Sequence, residues 1–204
     1  MKLYHQARTR SSRVKWLLGE LGVACEVAEV NVFAGEGRKP EYQAAVHPHG
    51  YVPALEDDGA TLIESSAICM YLTDRYGEGK NLAPKPGTID RGKYYEWMVY
   101  IPATVDPCLE AIMFNTMFLP EDKRDPKLVA RMTKAWATKM EPRFVATLAK
   151  SPFILGETFT TADVLAGNAL AWAQMAGVLG TDPSLVRYMG MISARPAFIE
   201  AHTK

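Results

Sequence analysis

The chain has 204 residues, 48% of them apolar and 23% charged, enough for one large domain or two small ones and too apolar for a disordered chain. Its 23 Lys and Arg balance 23 Asp and Glu, which argues against an electrostatic reader of nucleic acid, because phosphate binding needs a basic surplus. The most apolar long stretch, residues 164–179, carries Asn168 and Gln174 and is too short to cross ~30 Å of hydrocarbon, so no membrane partner is expected.

Residues 2–5 alternate polar and apolar, and Val14, Leu17, Leu18 and Leu21 follow at helical spacing with Gly22 as a natural stop. Residues 25–32 then read as a second strand. A strand, a helix and a strand predict a parallel pair with a right-handed crossover. A Gly-rich loop (Gly35, Gly37), a short helix near residues 41–45, and the run His47-Pro48-His49-Gly50-Tyr51-Val52-Pro53 come next. Asp58-Gly59 between residues 54–56 and 61–63 predicts a hairpin. Glu64-Ser65-Ser66 opens an amphipathic helix through Ile68, Tyr71 and Leu72 to Gly77.

The expected N-terminal order is therefore β-α-β-α-β-β-α over residues 1–78. Residues 79–87 have the Gly, Lys, Asn and Pro composition of a linker. Residues 88–204 read as all α, with helices over 94–105, 110–118, 126–149, 161–176 and 183–193. Thr160 with Asp163 has the spacing of a capping box, a device that satisfies free N–H groups at a helix start.

Several positions carry chemistry. Pro53 enters the third strand, where a cis bond would turn the Val52 main chain outward to pair with an extended peptide. Ser65 offers a hydroxyl and N–H groups at the positive end of a helix dipole, a setting suited to a carboxylate. Cys25, Cys69 and Cys108 show no Cys-x-x-Cys pattern, and His5, His47, His49 and His202 show no ligand spacing. No metal is expected, the cysteines read as buried or half-buried thiols, and the histidines as solvated loop residues.

The segments Ser11–Gly22, His47–Leu55 and Glu64–Ile68, with Tyr71-Leu72, resemble those of the soluble, cytosolic-type glutathione transferases, and the resemblance runs over the whole chain. It implies a thioredoxin-like N-terminal domain, an all-helical C-terminal domain, glutathione as co-substrate, a cytoplasmic homodimer and a small apolar electrophile as second substrate. Carried over residue by residue, a cis peptide falls on Val52-Pro53 and the hold on the γ-glutamyl end of glutathione on Glu64 and Ser65. Family members place a Tyr, Ser or Cys between the first strand and first helix to stabilise the thiolate. Here that interval offers Ser11, then Thr9, then Ser12, Ser11 being the expected N-cap with its hydroxyl toward the cleft.

Arg10 is a candidate aid to the thiolate, and Arg38 and Lys39 lie where the family often uses a basic residue on the glycine carboxylate. Tyr51 stands where relatives often have Gln or Lys. Tyr100, Met113, Phe114 and Met117 are the expected apolar wall for the electrophile. Tyr94, Trp97, Tyr100 and Asp106 fall on the helix that the family uses in its two-fold interface. Disulfide reduction, dehalogenation, isomerisation, or a non-enzymatic binding role on the same fold are the alternative readings.

Overall fold

The computed structural model describes residues 1–203, which divide into two compact units: Met1–Leu82 with the chain from Ser193 onward, and Ala83–Ile192. The first unit holds a four-stranded sheet in the order β2-β1-β3-β4, formed by β1 Lys2–His5, β2 Glu26–Glu29, β3 Ala54–Asp57 and β4 Ala60–Ile63. β1 runs parallel to β2 and antiparallel to β3, and β3 is antiparallel to β4. Leu3 and His5 are the inward positions of β1, both fully buried. The β3–β4 hairpin turns through Asp58 and Gly59, both at positive φ (51° and 77°), as a two-residue turn matched to strand twist requires.

α1 (Ser11–Leu21), the short α2 (Pro40–Ala45) and α3 (Ser65–Tyr76) complete the β-α-β-α-β-β-α order. α1 buries Val14, Trp16, Leu17 and Leu18, and its Arg13 is also fully enclosed. The C-terminal helix α10 (Pro196–His202) packs on α1 and not within the helical unit, a difference from the expected 88–204 domain. The cause is local. Trp16 meets Phe198 edge-on at 4.9 Å, a Cβ on Gly19 would stand 2.8 Å from that of Ala197, and Arg195 holds Glu20 with two hydrogen bonds of 2.7 and 2.6 Å.

The second unit contains α4 (Ile89–Tyr100), α5 (Asp106–Met113), α6 (Pro126–Ala135), α7 (Glu141–Leu148), α8 (Thr161–Met175) and α9 (Pro183–Ser193). Wide π-type turns at Ile101–Val105, Phe114–Phe118 and Trp136–Met140 interrupt or end what the periodicity reads as continuous helices, two of them next to Pro102 and Pro142. α8 is the core element, its first ten residues all buried. Tyr94 and Trp97 on α4 are buried inside this unit, as is Asp106, which falls at the start of α5 and not on the same helix.

Candidate functional site

Strand register collects the candidate residues at one end of the sheet. Tyr4 pairs with Ala54 and Ala54 with Ile63. The ladders end there, and Gln6, Val52 and Ser65 each lie two residues beyond that end of the sheet. β2 runs parallel to β1, with His5 opposite Glu29, so the chain after Glu29 leaves at the same end, and Val32 N–H donates to Gln6 Oε1 at 2.8 Å.

The Val52-Pro53 peptide is cis. Val52 and Pro53 are buried, and Val52 lies outside the ladder, which starts at Ala54. In the preceding loop Gly37 and Gly50 meet main chain to main chain. A Cβ on Gly37 would come within 2.0 Å of Gly50 O, and one on Gly50, at φ 71°, within 2.3 Å of Gly37 O. Only glycine permits that approach. Tyr42 O–H donates to Tyr51 O at 2.8 Å, leaving the Tyr51 ring 65% exposed.

Glu64 precedes α3 at φ 69°, ψ 106°, and offers no side-chain cap. A non-glycine residue there stores strain of about 1–3 kcal/mol, which persists only where the surroundings enforce it. Ser65, 5% exposed, is the first residue of α3, and buried Arg13 donates to its Oγ at 3.4 Å. Arg13, an arginine in the first turn of α1, lies inside and ties α1 to the start of α3.

Ser11 is placed differently from expectation. Arg10 occupies the N-cap position and Ser11 is the first helical residue, fully buried. Its hydroxyl faces inward, with Gln6 N at 3.0 Å, Gln6 O at 2.9 Å, His5 Nδ1 at 2.8 Å and Thr9 Oγ1 at 2.8 Å. The helix start turns through Gln6–Arg10, so the first turn of α1 folds over the Ser11 side chain. Thr9 is half-buried, and its Oγ1 lies 2.8 Å from Gln6 O and accepts from Ser11 N–H at 3.2 Å.

Arg10 is half-buried, and Arg38 and Lys39 are exposed beside α2. His5 and His47 are buried, at 0% and 5% exposure, and not solvated. His5 sits at an inward position of β1, so the alternation with Leu3 could have revealed it. Burial pushes its imidazole down to about 4, with the nearby Lys15 acting in the same direction. Burial, followed by the neighbouring His49, also lowers His47.

In the helical unit, Met113 is 4% exposed and belongs to the core, which removes it from the expected electrophile wall. Its place on the buried stripe of α5 with Leu109 and Ile112 is the reason. Phe114 and Met117 are exposed, and Phe114 pairs with Phe118 at 5.6 Å. Tyr100 is half-buried with Arg143 stacked 4.2 Å from its ring centre. Cys69 and Cys108 are buried and Cys25 is partly so; burial pushes the Cys69 thiol up to about 12, out of reach of nucleophilic chemistry. Among the described residues no three His, Cys, Asp or Glu side chains converge as a metal would need, and no helix is long and apolar enough to cross a membrane.

A thioredoxin-like unit with an open helix start beside a cis-proline loop, joined to an all-helical unit, is the architecture of a glutathione-handling enzyme. Residues 3–80 match the family described as glutathione S-transferase, N-terminal domain. A glutathione S-transferase of Arabidopsis thaliana is 30% identical over 80% of this chain and 77% of its own length. Maleylacetoacetate isomerase of Pseudomonas aeruginosa is 30% identical over 99% and 95%. The solved structure of a sphingomonad glutathione S-transferase complexed with glutathione superposes with a TM-score of 0.85, 26% identity, and coverage of 99% of this chain and 97% of that one. The chain belongs to the soluble glutathione transferase family.

Proposed function

We propose that the chain binds glutathione in extended form at this end of the sheet, stabilises its thiolate and transfers it to an apolar electrophile. The observation that supports this most is the convergence, set by strand register, of the Val52 main chain, the open α3 start at Glu64-Ser65 and the loop Gln6–Arg10. Val52 N–H and C=O would pair with the peptide, Ser65 and the α3 N–H groups with the γ-glutamyl carboxylate, and exposed Glu64 with its ammonium. Arg38 and Lys39 are assigned to the glycine carboxylate, and Arg10 to the neighbourhood of the sulfur.

A free thiol near ~8.5 is mostly protonated at neutral pH, and lowering it by about two units takes about 2.7 kcal/mol of preferential anion stabilisation. A hydroxyl donor at the positive end of α1 supplies a contribution of that order. Ser11 is enclosed, so Thr9 takes the role. Its O–H turns from Gln6 O to the sulfur, the thiol proton passes to water, and the thiolate forms the new S–C bond as the electrophile's leaving group departs or its acceptor atom gains the electron pair.

Retention on immobilised glutathione together with turnover of a chromogenic aryl halide is the expected result. Retention without turnover of aryl halides, disulfides or peroxides would leave a binding protein. Isomerisation is a second reading, favoured by the isomerase of Pseudomonas aeruginosa that aligns over 99% of this chain; a cis-enone substrate tests it. The proposal includes a cytoplasmic homodimer, for which sedimentation velocity should give twice the chain mass.

A further inference from the structure

We propose that His5 is a positioning residue which, through Ser11, forces the Thr9 hydroxyl to donate outward. This rests on the reading that Thr9 meets the sulfur. The protons of the cluster can be followed one at a time. Ser11 Oγ accepts the Gln6 N–H at 3.0 Å and lies 2.8 Å from His5 Nδ1. A neutral imidazole carries one N–H, and His5 Nε2, buried, has no hydrogen-bond partner. A proton there would be a buried donor without an acceptor, a rarer and costlier defect than an unused lone pair. The proton therefore sits on Nδ1 and points at Ser11.

With both lone pairs of Ser11 Oγ filled by N–H groups, Thr9 cannot donate to Ser11. The Ser11 proton goes to Gln6 O at 2.9 Å or to Thr9 Oγ1 at 2.8 Å, and Thr9 also accepts the Ser11 N–H. Thr9's own proton is left for Gln6 O, at 2.8 Å, or for an anion at its exposed side. Hydrogen bonds aligned in one direction polarise one another, so the last donor is the strongest. The opposite tautomer would reverse every step, drawing the Ser11 proton to His5 and the Thr9 proton back to Ser11.

The groups around the ring favour the neutral state. Lys15 on α1 and His202 on α10 act on it unfavourably for a second proton, and burial acts more strongly still. Glu29 lies across the ladder on β2. The ring thus keeps one proton, and its direction, through the neutral range.

Two measurements test the proposal. Long-range nitrogen–proton spectra of the intact protein should place the His5 proton on Nδ1; a proton on Nε2 overturns it. Ultraviolet titration of bound glutathione should show about tenfold less thiolate at neutral pH for His5→Leu, a rise of about one unit in the thiol pKa. His5→Asn, whose amide N–H reaches the Nδ1 position, should restore the unaltered value, whereas His5→Gln should not. Equal thiol pKa values in the unaltered protein and a folded, glutathione-loaded His5→Leu would also overturn it. If His5→Leu does not fold, the comparison of His5→Asn with His5→Gln decides. Failure of the unaltered protein to bind glutathione would instead bring down the parent reading, and this proposal with it.

Discussion

Two helices in this chain begin in opposite ways. At the start of α8 the capping side chains are turned inward. Thr160 and Asp163 exchange the two bonds of a capping box, and the Asp163 carboxylate also accepts Ile154 N–H at 2.8 Å and Tyr188 O–H at 3.1 Å. At the start of α3 no side chain caps the helix, the preceding Glu64 is held at φ 69°, and the Ser65 hydroxyl is reached by a buried guanidinium. A helix start closed on itself contributes to folding; one left open under strain is available to a ligand. The same local physics, used to opposite ends, separates the structural unit from the binding unit.

The largest effect is expected at the closed end. Asp163→Ala removes the acceptor of Ile154 N–H and Thr160 N–H, both buried, and should cost about 3 kcal/mol of stability in urea unfolding. Glutathione affinity of the molecules that remain folded should not change. At the open end the outcome inverts. Ser65→Ala should weaken glutathione by about 1.5–2.5 kcal/mol, read by calorimetry, because a hydrogen bond to a carboxylate is lost, while the unfolding free energy falls by less, the contact given up by Arg13 being a long one of 3.4 Å. Equal losses of stability and affinity in either variant would erase the distinction between the two helix starts.

A pH series sharpens it. Burial pushes the Asp163 carboxyl up to about 6 despite the hydrogen bonds from Ile154, Thr160 and Tyr188 that act to lower it. A carboxyl raised in the folded state takes up a proton on folding as the pH falls. Its contribution is complete below the ordinary value of 3.8 and is lost as the pH rises through about 6. Between pH 7 and pH 5 the unfolding free energy should therefore rise by about 1 kcal/mol relative to Asp163→Asn, which cannot titrate. An identical pH profile in the two proteins would contradict this.

Much of this contrast was readable in the amino-acid order. Asp58-Gly59 specifies a two-residue turn by its tolerance of positive φ, Thr160 and Asp163 specify a cap by spacing, and Glu64-Ser65 marks the helix start. Those features are local, and local chemistry survives folding. Ser11 was misplaced because its hydroxyl answers to His5 and Gln6, partners set by how the first turn of α1 sits on β1. The second-unit assignment of the last helix failed for a similar reason: nothing near residues 196–202 says that Phe198 will meet Trp16. Met113 shows the same limit, since an apolar residue at helical spacing lines a wall or fills a core according to what packs opposite. The close approach of Gly37 to Gly50 leaves a trace only as two glycines thirteen residues apart.

The smallest expected effect is the one that most directly tests why α3 opens as it does. Glu64 stands at φ 69°, ψ 106°, a region that costs a residue with a Cβ about 1–3 kcal/mol. Glycine reaches that conformation without the clash but brings a more flexible unfolded chain, which returns part of the gain. Glu64→Gly should therefore stabilise the fold by roughly 0.5–1 kcal/mol in denaturant unfolding, while glutathione binds more weakly for want of a carboxylate facing the γ-glutamyl ammonium. Glu64→Gln separates the two causes, because it keeps the Cβ and its strain but not the charge: stability should stay at the unaltered level and affinity should fall as it does for glycine. A variant that is both more stable and a better binder would mean that the strain at this residue serves neither the ligand nor the helix start.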